Sequence, residues 1–461
     1  MSIPDISVIA AIATPPGEGA LAIVRLSGEG SLQVADRVFR GTDALASLPG
    51  YTARHGQVVG RAGEAVDEVV ALVFRAPRSY TGEDMVEFSC HGGMLVTREV
   101  LSAVIASGAR PARPGEFTRR AFMNGKIDLS QAEAVADLIS AQSERARMHS
   151  LEQLEGKLGR RVGELRRRLI DLCALLELEL DFSEEGIELV QRGEIRQQVA
   201  DVRAVLETMS RSYEQGKVER EGVLVVLAGR PNVGKSSLFN ALLGENRAIV
   251  TPVPGTTRDT IEESLVIEGL LFKLVDTAGL QRATDPVEAE GIDRTRHQVR
   301  YADIVLLVED ASGSGEEEEI ADALRGLRKN QRLIVVFNKT DIVPLERAGG
   351  HKLGAKCITV IGTSATKREG IDRLCKCLVE SVAGKEDSRE GIVLTSKRHL
   401  GAILHAQESL ALALEAAERG ETNEFIALDV RNAASHLGEI TGEVTSEEIL
   451  QSVFARFCIG K

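Results

Sequence analysis

Eight residues, Gly229-Arg230-Pro231-Asn232-Val233-Gly234-Lys235-Ser236, constrain this chain more than any other stretch. They fit G-x-x-x-x-G-K-[ST], a phosphate-binding loop, which works only between a buried strand and the N-terminus of a helix. The flanks supply both. Residues 223–228 are a short apolar, β-branched run of the kind buried in parallel sheets, and residues 237–243 open a helical pattern. The glycines let backbone N–H groups turn inward onto phosphate oxygens. Lys235 is placed to reach the β- and γ-phosphates and Ser236 to ligate Mg2+. Asn232, Val233, Gly234 and Ser237 complete the expected cradle.

The base is named further down the chain. The apolar run 333–337 ends in Asn338-Lys339-Thr340-Asp341. Guanine offers N1–H and N2–H2 side by side, and one carboxylate, Asp341, accepts both. Adenine lacks that pair of donors and would leave the charge unpaired. Asn338 and Lys339 are expected to hold the loop and cover the ring. Thr363-Ser364-Ala365, after the apolar run 358–361, sits where a backbone amide can meet the guanine carbonyl. Between the two motifs, Asp276-Thr277-Ala278-Gly279 follows the strand-like run 271–275. Asp276 would bind Mg2+ through water, and Gly279 would offer its N–H to the γ-phosphate. Together these mark a GTP-binding α/β domain over residues 220–384.

Two-state GTPases orient the attacking water with a glutamine just after D-x-x-G. Leu280 occupies that place and can do no such thing; Gln281 is one residue too far. Either hydrolysis is slow or another polar group does the work: Asp285, Glu288 and Glu290 follow, and one of them could swing in when the loop orders. No arginine finger is evident. Asn232 offers a side-chain oxygen for a monovalent cation, and K+ there would supply positive charge where it develops in the transition state.

The rest of the chain adds two more parts. At 461 residues it has length for about three domains of ~150. Residues 1–125 alternate strand-like and helical runs irregularly: strands at 6–13, 21–26, 68–74 and 85–88, helices at 31–39 and 92–106. That pattern predicts an α+β domain. Residues 126–219 read as helical. Leu151, Leu154, Leu158, Val162, Leu165, Leu169, Leu172 and Leu176 form one apolar stripe, predicting one long helix. Arg160, Arg161, Arg166, Arg167 and Arg168 decorate its other faces, read as a solvated surface or a tRNA-facing patch. Helical periodicity resumes over 385–461, so the GTP domain reads as an insertion into a helical domain.

Composition limits the partners. The formal net charge is −13, so any nucleic-acid contact must come from a local basic patch. With no Trp and 3 % aromatics, base-stacking platforms are not expected. No leader and no run of ~18 apolar residues is evident, so a cytoplasmic protein without a membrane span is expected. The six cysteines are scattered, and Cys375-Lys376-Cys377 lacks the spacing of a zinc site.

The motifs also carry a resemblance. The phosphate loop with Gly255-Thr256-Thr257-Arg258-Asp259 resembles the GTPases that include Era and EngA. Ala13-Thr14-Pro15-Pro16-Gly17, Arg25-Leu26-Ser27-Gly28, Ser79-Tyr80-Thr81-Gly82-Glu83-Asp84, His91-Gly92-Gly93, Arg113-Pro114-Gly115-Glu116-Phe117-Thr118, Leu180-Asp181-Phe182-Ser183-Glu184-Glu185 and Phe457-Cys458-Ile459-Gly460-Lys461 are similar to the MnmE (TrmE) family of tRNA modification GTPases, across essentially the whole chain.

That resemblance implies a homodimer joined by a first domain that binds tetrahydrofolate. It implies action with the FAD-dependent partner MnmG, placing an aminomethyl or carboxymethylaminomethyl group at the 5-position of the wobble uridine of certain tRNAs. The one-carbon donor would be 5,10-methylenetetrahydrofolate or a related derivative. By family motif, Arg25, Glu87, Lys126 and Lys461 would contact the folate. The GTP-covering loop would be Thr251-Pro252-Val253-Pro254-Gly255-Thr256-Thr257. K+ would be held by Asn232 of the phosphate loop with backbone oxygens of Thr251, Val253 and Thr256, and Thr257 would join Ser236 on Mg2+. The catalytic pair would be Lys235 and Glu288, with Glu288 orienting water. The alternative from another class is a ribosome-assembly or signalling switch that acts only by binding partners.

Overall fold

A computed structural model describes residues 7–181, 191–246, 262–276, 299–312, 327–328, 331–344, 359–382 and 392–461. The chain divides into two units: 1–136, 153–195 and 412–461 form one, and 137–152 with 196–411 the other.

In the first unit, alternating residues build a seven-stranded sheet. Its strands are β1 (Ile9–Ile12), β2 (Gly19–Ser27), β3 (Phe39–Gly41), β4 (Thr52–Val59), β5 (Ala65–Phe74), β6 (Met85–Gly92) and β7 (Arg110–Pro111), ordered β3-β4-β5-β6-β2-β1-β7. All neighbours are antiparallel except β1 and β7. Every second residue (Val24, Leu26, Val69, Ala71, Val73, Val86, Phe88) points into a core closed by the helices Ser31–Val38 and Met94–Ala106. The intervening residues, among them Ile23, Arg25, Val70, Leu72, Glu87 and Ser89, therefore belong to the other face, where they are half-buried or exposed. The α+β expectation is met. Strands β3, β4 and β7 were not foreseen, because Thr52–Val59 is largely polar and buries only Gly56, Val58 and Val59.

The same unit holds the helix pair Lys157–Asp181 and Asn423–Thr441. The single long stripe expected from Leu151 is broken. One helix ends at Leu154, Gly156 adopts φ 77°, and a second helix begins at Lys157. A left-handed glycine cannot continue a right-handed helix, and apolar spacing alone does not register that break. From Leu158 to Leu176 the stripe is buried as expected. It faces Ile426, Val430, Ala433 and Leu437, and the Cys173 thiol donates to the Ala427 carbonyl at 3.5 Å.

The second unit contains a six-stranded sheet of β8 (Val223–Ala228), β9 (Glu262–Ile267), β10 (Leu270–Asp276), β11 (Ile304–Asp310), β12 (Arg332–Asn338) and β13 (Thr359–Gly362), ordered β13-β12-β11-β8-β10-β9. It is parallel apart from β9, which turns back on β10 through Glu268 and Gly269, both at positive φ. Apolar side chains pack on both faces. Val225, Leu227, Leu306 and Val336 meet the helices Lys235–Asn246 and Ile371–Val382, while Val226, Val305, Leu307 and Val335 pack on the opposite side. That two-sided burial is why these strands read as unbroken apolar runs rather than as alternation. Cys375 and Cys377 lie in this core, and burial pushes the Cys375 thiol up to about 11. Among the described residues, no helix is long and apolar enough to cross a membrane.

Candidate functional site

Strand β8 delivers the phosphate loop. Gly229 leaves the strand at φ 140° against the Val308 carbonyl, so closely that a Cβ would collide with it. Asn232 at φ 65° and Gly234 at φ 96° then curl the loop into the helix that starts at Lys235. Lys235 is 5 % exposed, and its Nζ donates to the carbonyls of Gly229 (2.7 Å) and Arg230 (2.6 Å). Burial lowers its pKa; Asp276 and Glu309 pull the other way. Ser236 Oγ donates to Asp276 Oδ2 at 2.9 Å. A hydroxyl and a carboxylate thus meet at the head of the loop, a donor set that suits a hard divalent cation such as Mg2+.

The β12 end ties the loop expected to recognise the base onto the same cradle. Asn338 Nδ2 donates to the Val233 carbonyl at 3.1 Å, while its Oδ1 accepts from Ala365 N (3.1 Å) and Thr363 Oγ1 (3.4 Å). Thr340 N donates to the Thr363 carbonyl at 3.1 Å. Lys339, at φ 64°, sends its Nζ to the Asn232 carbonyl (3.0 Å) and to Asp310 Oδ2 (2.6 Å). Burial disfavours the Asp310 carboxylate, but Lys339 and Ser312 outweigh it and hold its pKa below the ordinary value. Asp341 is exposed at the lip. The Ser364 and Ala365 amides already have protein acceptors, Glu369 O at 2.9 Å and Asn338 Oδ1, so a guanine carbonyl at Ala365 would share its N–H with Asn338. Asp310 was missed in the sequence. It terminates β11, an apolar run that could have been read as a strand leading to the same edge.

Several expected members, Thr251, Pro252, Val253, Pro254, Gly255, Thr256, Thr257, Thr277, Ala278, Gly279 and Glu288, lie outside the described residues.

A second polar cluster lies on the first domain. Arg25 on β2 and Glu87 on β6 are cross-strand partners, and Arg25 Nε donates to Glu87 Oε1 at 2.7 Å. Both side chains are about 15 % exposed (14 % and 15 %), a semi-buried pair rather than a surface one. Arg25 Nη1 also donates to the Gly460 carbonyl at 3.3 Å, and Phe117 N donates to the Lys461 carbonyl at 3.2 Å. Residues 460–461 are thereby tied to the domain. Gly460, at φ 103°, fits against the Ile12 carbonyl where a Cβ would not. Burial lowers the pKa of the Lys461 amine and the Arg25 charge lowers it further, opposed by Glu87. Tyr80 lies against both cations: Arg25 Cζ is 5.4 Å and Lys461 Nζ 5.9 Å from its ring centroid. Lys126 is not part of this contact set. Its Nζ donates to the Pro77 carbonyl at 3.1 Å, along the loop that carries Tyr80.

Comparison with known proteins bears on both sites. Residues 8–126 match the family model described as "GTP-binding protein TrmE N-terminus", and residues 129–458 match "MnmE helical domain". The "tRNA modification GTPase MnmE" of Chlorobium luteolum is 48 % identical, spanning 99 % of this chain and 98 % of that protein. Those of Syntrophotalea carbinolica and Symbiobacterium thermophilum are 44 % and 45 % identical, each spanning 98 % of this chain and 99 % of the relative. The chain therefore belongs to the MnmE (TrmE) family of tRNA modification GTPases, and it is a GTP-hydrolysing enzyme of that family.

Proposed function

We propose that this protein couples K+-stimulated GTP hydrolysis to one-carbon transfer onto the wobble uridine of certain tRNAs, working as a homodimer in the cytoplasm with the FAD-dependent partner MnmG. The observation that carries the one-carbon part is the convergence of Arg25, Glu87 and Lys461 from distant stretches of chain. These residues fit a reduced folate. Its pterin presents paired N–H donors to a carboxylate such as Glu87, and its glutamate tail presents carboxylates to cations. When bound, 5,10-methylenetetrahydrofolate supplies a carbon at the oxidation level of formaldehyde. The chain's own part is to hold and orient it: Arg25 fixes the Glu87 carboxylate, and Lys461 offers a cation beside it. A switch acting only by binding partners has no need of such a site.

Other features support the remaining parts. The face of the first sheet away from its helices carries Ile23 and Leu72 half-buried and Leu21 and Val70 exposed, at 68 % and 42 %. An apolar surface of this kind suits a second copy of the chain. Asp341 at the open lip suits guanine.

Two expected results test the reading. Arg25→Ala should weaken binding of 5-formyltetrahydrofolate by about tenfold or more, the scale of a lost charge-assisted bond, with GTP affinity unchanged by calorimetry. A wild-type protein that binds no folate overturns the one-carbon assignment. Asp341→Asn should exchange guanine for xanthine nucleotides, because an amide can donate to the xanthine C2 carbonyl. Equal binding of ATP and GTP by the wild type would overturn the base assignment.

A further inference from the structure

The loop Ser79-Tyr80-Thr81-Gly82-Glu83-Asp84 is fixed at nearly every residue. Ser79 Oγ donates to the Glu83 carbonyl at 2.5 Å. Thr81 is fully buried; its hydroxyl meets Ser27 Oγ at 2.6 Å and its carbonyl accepts from Asn124 Nδ2 at 2.8 Å. Glu83 accepts from Ser27 Oγ (2.8 Å) and from Arg120 Nη1 (3.1 Å), and Arg120 is itself 8 % exposed. Arg120 in turn reaches the Ser7 carbonyl and Glu116. This is a large investment of buried polar groups in one short loop.

The residue that the loop presents is Tyr80. Its hydroxyl meets Thr118 Oγ1 at 2.8 Å, its ring packs with Ile9, Ala11, Ala112 and Phe117, and burial raises its pKa. The ring is thus held at one end by Thr118, and both Arg25 and Lys461 lie within cation–π range of it. Two like charges have no reason to converge on one half-buried place unless something holds them. Glu87 compensates one through a direct bond, and the aromatic ring is a shared partner for both.

We propose that Tyr80 is the positioning residue of this site: its ring holds the Lys461 amine beside Arg25 in the arrangement a reduced folate binds. The inference rests on the folate reading for its ligand, but the positioning of residues 460–461 stands on contacts within this chain. Neither the hydroxyl nor the volume of the side chain is the active property; the π face is.

The test compares Tyr80→Phe, which keeps the ring, with Tyr80→Leu, which keeps bulk but removes it, both in the full chain. Hydrogen exchange of the 457–461 backbone is read first, without ligand. Tyr80→Leu should exchange about tenfold faster there and Tyr80→Phe within about threefold of wild type, since two cation–π contacts are lost in one and none in the other. Calorimetry with 5-formyltetrahydrofolate should follow the same order, with about a tenfold loss for Tyr80→Leu and rescue by Tyr80→Phe. GTP affinity, unchanged in both, reports that the chain is folded. If Tyr80→Leu exchanges and binds like wild type, or Tyr80→Phe is as impaired as Tyr80→Leu, the proposal is overturned. If wild type binds no folate while the exchange pattern holds, the ligand reading fails and the positioning role stands.

Discussion

Gly234→Ala should cost the protein its grip on GTP, with affinity falling roughly 30-fold or more, because the substitution strikes two loops at once. Gly234 stands at φ 96°, and a Cβ there would collide with Asn338 Nδ2. Left-handed backbone costs a non-glycine residue roughly 1–2 kcal/mol. Displacing Asn338, which is 2 % exposed, strands the Val233 carbonyl and the Ala365 amide, at roughly 1–3 kcal/mol for groups left unpaired. The sum is about 2–5 kcal/mol, or roughly 30-fold to several thousandfold in the dissociation constant. Titration with a fluorescent GTP analogue measures it directly, and folate binding by the same preparation checks that the first unit is intact. An alanine variant that binds GTP as well as wild type would show that the contact between the phosphate loop and Asn338 does not matter.

Glu288→Ala should lower kcat by about 10²–10⁴, the range for a lost general base or water-positioning group, with little change in GTP affinity. The reason lies in what the motif lacks. Leu280 stands where a water-orienting glutamine would be, and the proposed mechanism takes its carboxylate from further along, at the Glu288 that the family resemblance implies. In the mechanism proposed above, K+ at Asn232, an exposed residue in the left-handed turn of the phosphate loop, supplies the missing positive charge. Turnover should then require K+ or an ion of similar radius. Na+ should be a poor substitute, and Asn232→Ala should abolish the K+ response. Steady-state hydrolysis in matched KCl and NaCl decides the matter. Equal rates in the two salts, or a fully active Glu288→Ala, would remove cation and carboxylate from the mechanism.

The nucleotide site was legible in the sequence because its chemistry is local. A strand, a glycine turn and a helix are consecutive, and Lys235 and Ser236 owe their places to that one connection. Asn338 could be assigned to the site, but not its bond to the Val233 carbonyl across 105 residues, since no periodicity encodes which loops share an edge. Asp310 stayed hidden for the same reason: its partnership with Lys339 exists only once β11 and β12 lie side by side. In the first domain, alternation revealed strands that bury every second residue and failed for Thr52–Val59, where few side chains are buried. The Gly156 break went unread because apolar spacing continues on both sides of it. For Arg25, Glu87 and Lys461, charge alone says surface; only family motif singled them out, and the contacts of Tyr80 with two of them exist only in the folded chain.

The bond from Arg25 to Gly460 spans 435 residues. Ribosomes add roughly 5–20 residues per second, so the β2 strand emerges roughly 20–90 s before the segment that completes its site can reach it. During that interval the nascent first domain holds the Arg25–Glu87 pair and the Tyr80 ring without Lys461. In a newborn chain the contacts of Arg25 and Tyr80 with residues 460–461 therefore form only after the intervening GTPase has also been synthesised. A chain that stalls or is cut within the G domain carries an N-terminal domain in which Arg25 and Tyr80 lack their partners at residues 460–461.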